Sequence, residues 1–159
     1  MNARVEIKRG GVTLSALTTG RKDRPAILLS NSLGAGLDMW APQRAMLEAR
    51  YHVIGYDTRG HGQSSTPKGE YSFDNLSADA LAVLDHFGIE KADYIGLSLG
   101  GMTGLGLGLD HAERFNKIVC ACARADNPLP FVSSWDDRIA AITQGGITAI
   151  WNGTVERWL

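Results

Sequence analysis

Four short apolar runs recur along this chain, and glycine-bearing turns or loops follow the first three. They are Ala26-Ile27-Leu28-Leu29-Ser30, Tyr51 to Tyr56, Ala92 to Leu97 and Ile118 to Ala123. Runs of this length, apolar with little alternation, read as strands buried on both faces. Helical segments separate them. One is expected over Pro42 to Ala49, with proline near its first turn. A second starts after Ser72 as N-cap, carries Phe73, Leu76, Ala80, Val83, Leu84 and Phe87 at helical spacing, and stops at Gly88. A third is expected over Gly100 to His111, where Gly104, Gly106 and Gly108 imply close packing against a neighbour. Strands alternating with helices build a mostly parallel sheet with helices on both faces. Ahead of the alternation, Val5 to Lys8 and Val12 to Thr19 flank Gly10-Gly11 as a hairpin. After Pro128 and Pro130 only helices remain. Trp135, Ile139 and Ile142 share one spacing, Trp151, Val155 and Trp158 repeat it, and the two helices meet at Gly145-Gly146. The expected division is an α/β core over residues 1–126 and a helical segment over 127–159.

Composition narrows the functional classes. With 159 residues and 44% hydrophobic content the chain can bury a core without staples. Sixteen basic residues against seventeen acidic ones leave a net charge of -1, so neither nucleic acid nor an anionic membrane is the expected partner. No apolar run approaches the ~18 residues of a membrane span, and Met-Asn-Ala-Arg-Val-Glu-Ile-Lys lacks the apolar stretch of a signal peptide. The two cysteines, Cys120 and Cys122, read as alternate residues of one strand, on one face but too far apart to pair. A cytoplasmic, disulfide-free protein is expected.

The chemistry centres on Gly96-Leu97-Ser98-Leu99-Gly100. It fits G-x-S-x-G, the nucleophile elbow, and it directly follows an apolar strand and directly opens a helix, as the elbow requires. A serine on so sharp a turn adopts a strained backbone, and the flanking glycines leave room for it. The turn lifts the Ser98 hydroxyl above the sheet and aims the helix N-terminus at any anion forming beside it. A glycine-rich turn with a capping serine is the plainer alternative. An oxyanion hole needs a second donor from the loop after the third strand, here Asn31-Ser32-Leu33-Gly34. The backbone N–H groups of Leu33 and Leu99 are the candidate pair.

The elbow, this loop with Asp38-Met39-Trp40 after it, and Asp57-Thr58-Arg59-Gly60-His61-Gly62 together resemble the α/β-hydrolase superfamily, and within it the 3-oxoadipate enol-lactonases. The resemblance runs through Ser134-Trp135-Asp136-Asp137-Arg138-Ile139 and Glu156-Arg157-Trp158-Leu159, which are similar to that group's helical lid. It implies a serine hydrolase of a small enol-lactone in aromatic catabolism, the β-ketoadipate pathway, with no cofactor and no metal. Related esterases, perhydrolases and other lactonases share the elbow and the Asp-x-Arg-Gly-His-Gly loop. The implied substrate carries a free carboxylate beside its ring. Trp135 and Arg138, three apart on one helix face, are candidates to cover the ring and grip the carboxylate; packing within the lid and pairing with a neighbouring acid is the alternative.

A serine nucleophile needs a base, and the base an orienting acid. His111 ends the helix that Ser98 begins, about 20 Å away at ~1.5 Å per residue. His61 lies in a loop on the active edge; His52 and His86 read as packing or surface positions. The resemblance places the family's acid and histidine beyond the lid. The expectation is therefore an α/β-hydrolase fold truncated after the sixth strand and the start of the lid, whose Asp and His come from a C-terminal half chain. An inert truncated or proteolysed fragment, and a non-catalytic interaction module, are the competing readings. The sixth strand, apolar on both faces, reads as a central strand whose neighbours are absent.

Overall fold

The computed structural model describes residues 4–158. Leu159 of the quoted lid motif and Met1-Asn2-Ala3 of the N-terminal stretch lie outside the described residues, as does the Trp158 side chain counted in the last helical spacing. The chain forms two compact units divided after Arg124.

The first unit carries one six-stranded sheet. Its strands are β1 (Val5–Arg9), β2 (Val12–Thr19), β3 (Ala26–Ser30), β4 (His52–Tyr56), β5 (Ala92–Leu97) and β6 (Phe115–Ala121), in the order β1-β2-β4-β3-β5-β6. β1 and β2 form the expected hairpin, and β2 meets β4 antiparallel. β4, β3, β5 and β6 run parallel, with Leu29 opposite Gly55, Ser30 opposite Gly96 and Leu97 opposite Ala121. Those pairings bring the carboxyl ends of all four strands to one edge, where open parallel sheets bind ligands.

Alternation along the strands feeds two cores. Leu14, Leu28, Ile54 and Tyr94 pack on one face with Ala80, Val83 and Leu84 of α2 (Phe73–His86) and Leu107 of α3 (Leu99–Asp110). Ile27, Leu29 and Val53 pack on the other with Trp40, Met39 and Leu47, from a 3₁₀ turn (Leu37–Trp40) and α1 (Ala41–Leu47). Ser72 caps α2 in a reciprocal box with Asn75. The glycines of α3 do permit close approach: a Cβ on Gly104 would lie 2.7 Å from the Tyr94 ring. At Gly106 and Gly108 the corresponding contacts are looser, 3.4 and 3.3 Å.

The extent of the last strand and the placing of the cysteines are corrected. The last strand begins three residues earlier than its apolar run and ends at Ala121, so Cys122 is not a strand residue; its φ of 48° turns the chain away. Cys120 and Cys122 therefore do not share a strand face, and both are free thiols. Among the described residues β6 is the last strand of the sheet and pairs with β5, and Val119 is 51% exposed. The elements after Arg124 are α4 (Leu129–Gly145), a 3₁₀ turn (Ile147–Ile150) and α5 (Trp151–Trp158). Among the described residues no helix is long and apolar enough to cross a membrane.

Candidate active site

Ser98 sits between the last residue of β5 and the first of α3, with φ 53° and ψ -109°. A non-glycine residue held there is strained, and surrounding structure has to enforce it. Enforcement comes from both flanks. The Ser98 N–H donates to Ala121 O at the end of β6, 2.9 Å, and the Gly100 N–H donates to Asn31 O just past β3, 3.0 Å. Glycine is required on either side of the serine. A Cβ on Gly96 would lie 2.2 Å from Gly100 O, and one on Gly100 would lie 2.4 Å from Ser30 O. The half-buried serine makes no side-chain cap to its own helix.

The strap at Gly100 takes one first-turn donor away from any anion beside Ser98. Helix N-termini offer several unpaired N–H groups, but that of Gly100 is spent on Asn31. Among the described residues no acceptor of the chain engages the Leu99 N–H, the donor next to Ser98. Leu33 follows Asn31 by two residues on the loop joined to Gly100, is 39% exposed, and its N–H is likewise not engaged within the chain. The fold thus brings the Ser98, Leu99 and Leu33 segments to one edge.

Asn31, fully buried, pairs both ends of its side-chain amide. Its Nδ2 donates to Tyr56 O at the end of β4, 2.9 Å, and its Oδ1 accepts from Trp40 Nε1, 3.1 Å. Asp57, also fully buried, accepts from Leu37 N at 2.7 Å, from Gln63 N at 2.9 Å, and from the Arg4 guanidinium. It clamps the loop after β3 to the loop after β4. Arg59 and Asp79 form a bidentate pair, 2.6 and 2.8 Å, that ties the latter loop to α2; the Asp79 hydrogen bond pushes the Arg59 pKa up. Beneath the elbow, Tyr94 OH donates to Gly100 O at 2.6 Å, and Ser30 Oγ lies 3.1 Å from Tyr56 OH. Burial pushes the Tyr56 hydroxyl up to about 12 and that of Tyr94 well above its ordinary value. Both stay protonated.

The histidines fall where the spacing placed them. His111 is the C-cap of α3, at the far end from Ser98. His86 ends α2. His52 is buried at the start of β4, the opposite end of that strand from the site. His61 follows β4, and its Nδ1 donates to Arg59 O at 3.0 Å, because a carbonyl only accepts. β4 is two strands from β5, about 10 Å at ~4.8 Å spacing. In the second unit, the Arg138 guanidinium stacks 4.7 Å above the Trp135 ring, and Phe131 meets that ring edge-on at 6.0 Å. The two predicted lid residues therefore stand together on α4. Among the described residues no cluster of His, Cys, Asp or Glu is arranged to hold a metal ion.

Sequence reasoning missed the roles of Asn31, Asp57 and Tyr94. The available signal was position: Asn31 and Asp57 are the first residues past the ends of β3 and β4.

Comparison with known proteins matches this geometry to a family. The model of the alpha/beta hydrolase fold covers residues 25–154. 3-Oxoadipate enol-lactonase 2 of Acinetobacter baylyi is 43% identical over 147 residues, 92% of this chain and 54% of that protein. The crystal structure of the enol-lactonase from Burkholderia xenovorans LB400 superposes with a TM-score of 0.90 at 36% identity, over 98% of this chain and 59% of that one. Est816, described as an N-acyl homoserine lactone degrading enzyme, gives a TM-score of 0.77 at 26% identity, over 92% of this chain and 54% of that one. The chain thus spans little more than half the length of these relatives. A strained serine at the strand–helix turn, the glycines that admit it, the strand order and the family match agree: this chain belongs to the α/β hydrolase fold family.

Proposed function

We propose that this chain is the nucleophile-bearing part of a cytoplasmic serine hydrolase that opens a small lactone of the 3-oxoadipate enol-lactone class. The observation that carries the reading is the Ser98 turn, φ 53°, strapped to β6 on one side and to the Asn31 loop on the other. The relatives described as lactone-cleaving enzymes support the substrate class. Ser98 Oγ attacks the lactone carbonyl carbon, and its proton passes to a histidine oriented by an aspartate. The oxyanion is held by the Leu33 and Leu99 N–H groups. Collapse breaks the ring C–O bond, the histidine protonates the departing oxygen, and the substrate remains as an ester on Ser98. Water, deprotonated by the same histidine, then cleaves that ester and releases the ring-opened acid. His52, His86 and His111 stand away from the elbow and His61 Nδ1 is engaged by Arg59 O, so the histidine and aspartate are assigned to a C-terminal half chain as partner. The chemistry requires neither cofactor nor metal.

The test is complementation. The purified 159-residue chain is assayed on p-nitrophenyl acetate and on a carboxylated enol-lactone, alone and with the C-terminal half of the A. baylyi relative. The expected result is no appreciable turnover alone, turnover on addition, and loss of that turnover with Ser98→Ala. A triad lacking its base keeps only ~10³–10⁴-fold over water. Turnover by the chain alone that Ser98→Ala abolishes would move the role of base to His61.

A further inference from the structure

Two oxyanion donors that come from different loops are useful only if the loops keep a fixed separation. Preorganised donors cost no rearrangement at the moment of reaction, and a shift of about 1 Å forfeits roughly a hundredfold in rate. In this chain the two loops are joined by one backbone bond, Gly100 N–H to Asn31 O, which lies one residue past Leu99 and two before Leu33. The acceptor of that bond is held by its own side chain. Asn31 Nδ2 is anchored to Tyr56 O and Oδ1 to Trp40 Nε1, at the far end of the same loop. A carboxylate at this position would set an oxygen against Tyr56 O; an apolar residue would leave Tyr56 O and the Trp40 indole N–H buried and unpaired.

We propose that Asn31 is a positioning residue that sets the spacing of the Leu33 and Leu99 oxyanion donors, by fixing the carbonyl that straps Gly100. This rests on the reading of Ser98 as nucleophile, but the brace itself is testable apart from it. Asn31→Asp, Asn31→Ser and Trp40→Phe are the variants. Trp40→Phe removes only the indole N–H and keeps the aromatic volume, so it serves if the Asn31 variants fold poorly.

The first measurement is amide hydrogen exchange of the 159-residue chain by NMR. Loss of the brace should speed exchange of the Gly100 N–H by about fivefold or more, as one hydrogen bond is worth, while the amides of Leu28 and Ile54 stay as they were. Unchanged Gly100 exchange in the folded variants overturns the brace, whatever Ser98 does. The second measurement is steady-state kinetics of the complemented protein. Asn31→Asp should lower kcat about a hundredfold and Trp40→Phe about tenfold, with KM within about threefold, because only the transition state carries the oxyanion. Faster Gly100 exchange with unchanged kcat, or a loss confined to KM, overturns the positioning role. If instead Ser98→Ala keeps full turnover, the nucleophile reading fails and the positioning role fails with it, while the exchange data still decide the brace.

Discussion

The two ends of the parallel strands treat buried ionisable and amide side chains in opposite ways. At the carboxyl ends, Asn31, Asp57, Arg59 and Asp79 are at most 8% exposed, and each has hydrogen-bond partners on another element. At the amino end of β4, His52 is only 3% exposed, and neither ring nitrogen has a partner. Desolvation makes an unpaired polar group costly and makes a paired network rigid. The carboxyl end therefore gains fixed geometry from its polar residues, which a site needs. The amino end carries a group that is tolerated only while it is uncharged.

The largest effect is expected from breaking the paired end. Asp79→Ala leaves the Arg59 guanidinium buried without its bidentate partner and removes a second contact to Arg9. Urea unfolding should show a loss of about 3–5 kcal/mol; a loss below about 1 kcal/mol would mean that Arg59 finds water instead. Gly100→Ala comes next. Its Cβ would meet Ser30 O at 2.4 Å and Ser30 Oγ at 2.8 Å, so the elbow has to shift, at about 1–3 kcal/mol of overpacking. A variant as stable as the parent would show that the elbow is loosely held. Tyr94→Phe deletes the bond to Gly100 O and should cost about 0.5–1.5 kcal/mol in the same assay.

The smallest effect belongs to His52 and is visible only through pH. Burial, with a minor contribution from Lys22, holds its pKa below the ordinary 6.5. The unfolded chain therefore binds the proton more tightly than the folded one. The stability tied to a neutral His52 is full above 6.5 and is lost as pH falls through the depressed folded value. The urea midpoint should fall on acidification, and His52→Leu should fall less steeply. Equal slopes would place the acid sensitivity elsewhere.

Much of the carboxyl end was legible because its rules are local. An apolar run, a glycine on each side of a serine and an immediate helix define the Ser98 turn without reference to distant residues. The α2 boundaries followed from Ser72 and Gly88 in the same way. The bracing was not legible, since it is made between segments: Asn31 reaches Trp40 and Tyr56, and Asp57 reaches Leu37 and Arg4. Spacing along one element cannot report such pairs. The end of β6 was misplaced because hydrophobicity continues through Cys122 and Ala123 while the backbone has already turned at φ 48°. The orphaned nitrogens of His52 were equally out of reach, because a histidine beside Val53 reads the same whether its ring is solvated, paired or alone.

The account stands on Ser98 as the nucleophile of this edge. A serine-directed fluorophosphonate probe, applied to the complemented protein and mapped by peptide mass spectrometry, tests that directly. A single adduct on Ser98 is expected in the parent, none in Ser98→Ala, and little or no labelling of the 159-residue chain by itself. An adduct that persists in Ser98→Ala, or that maps to another residue of the parent, would contradict it.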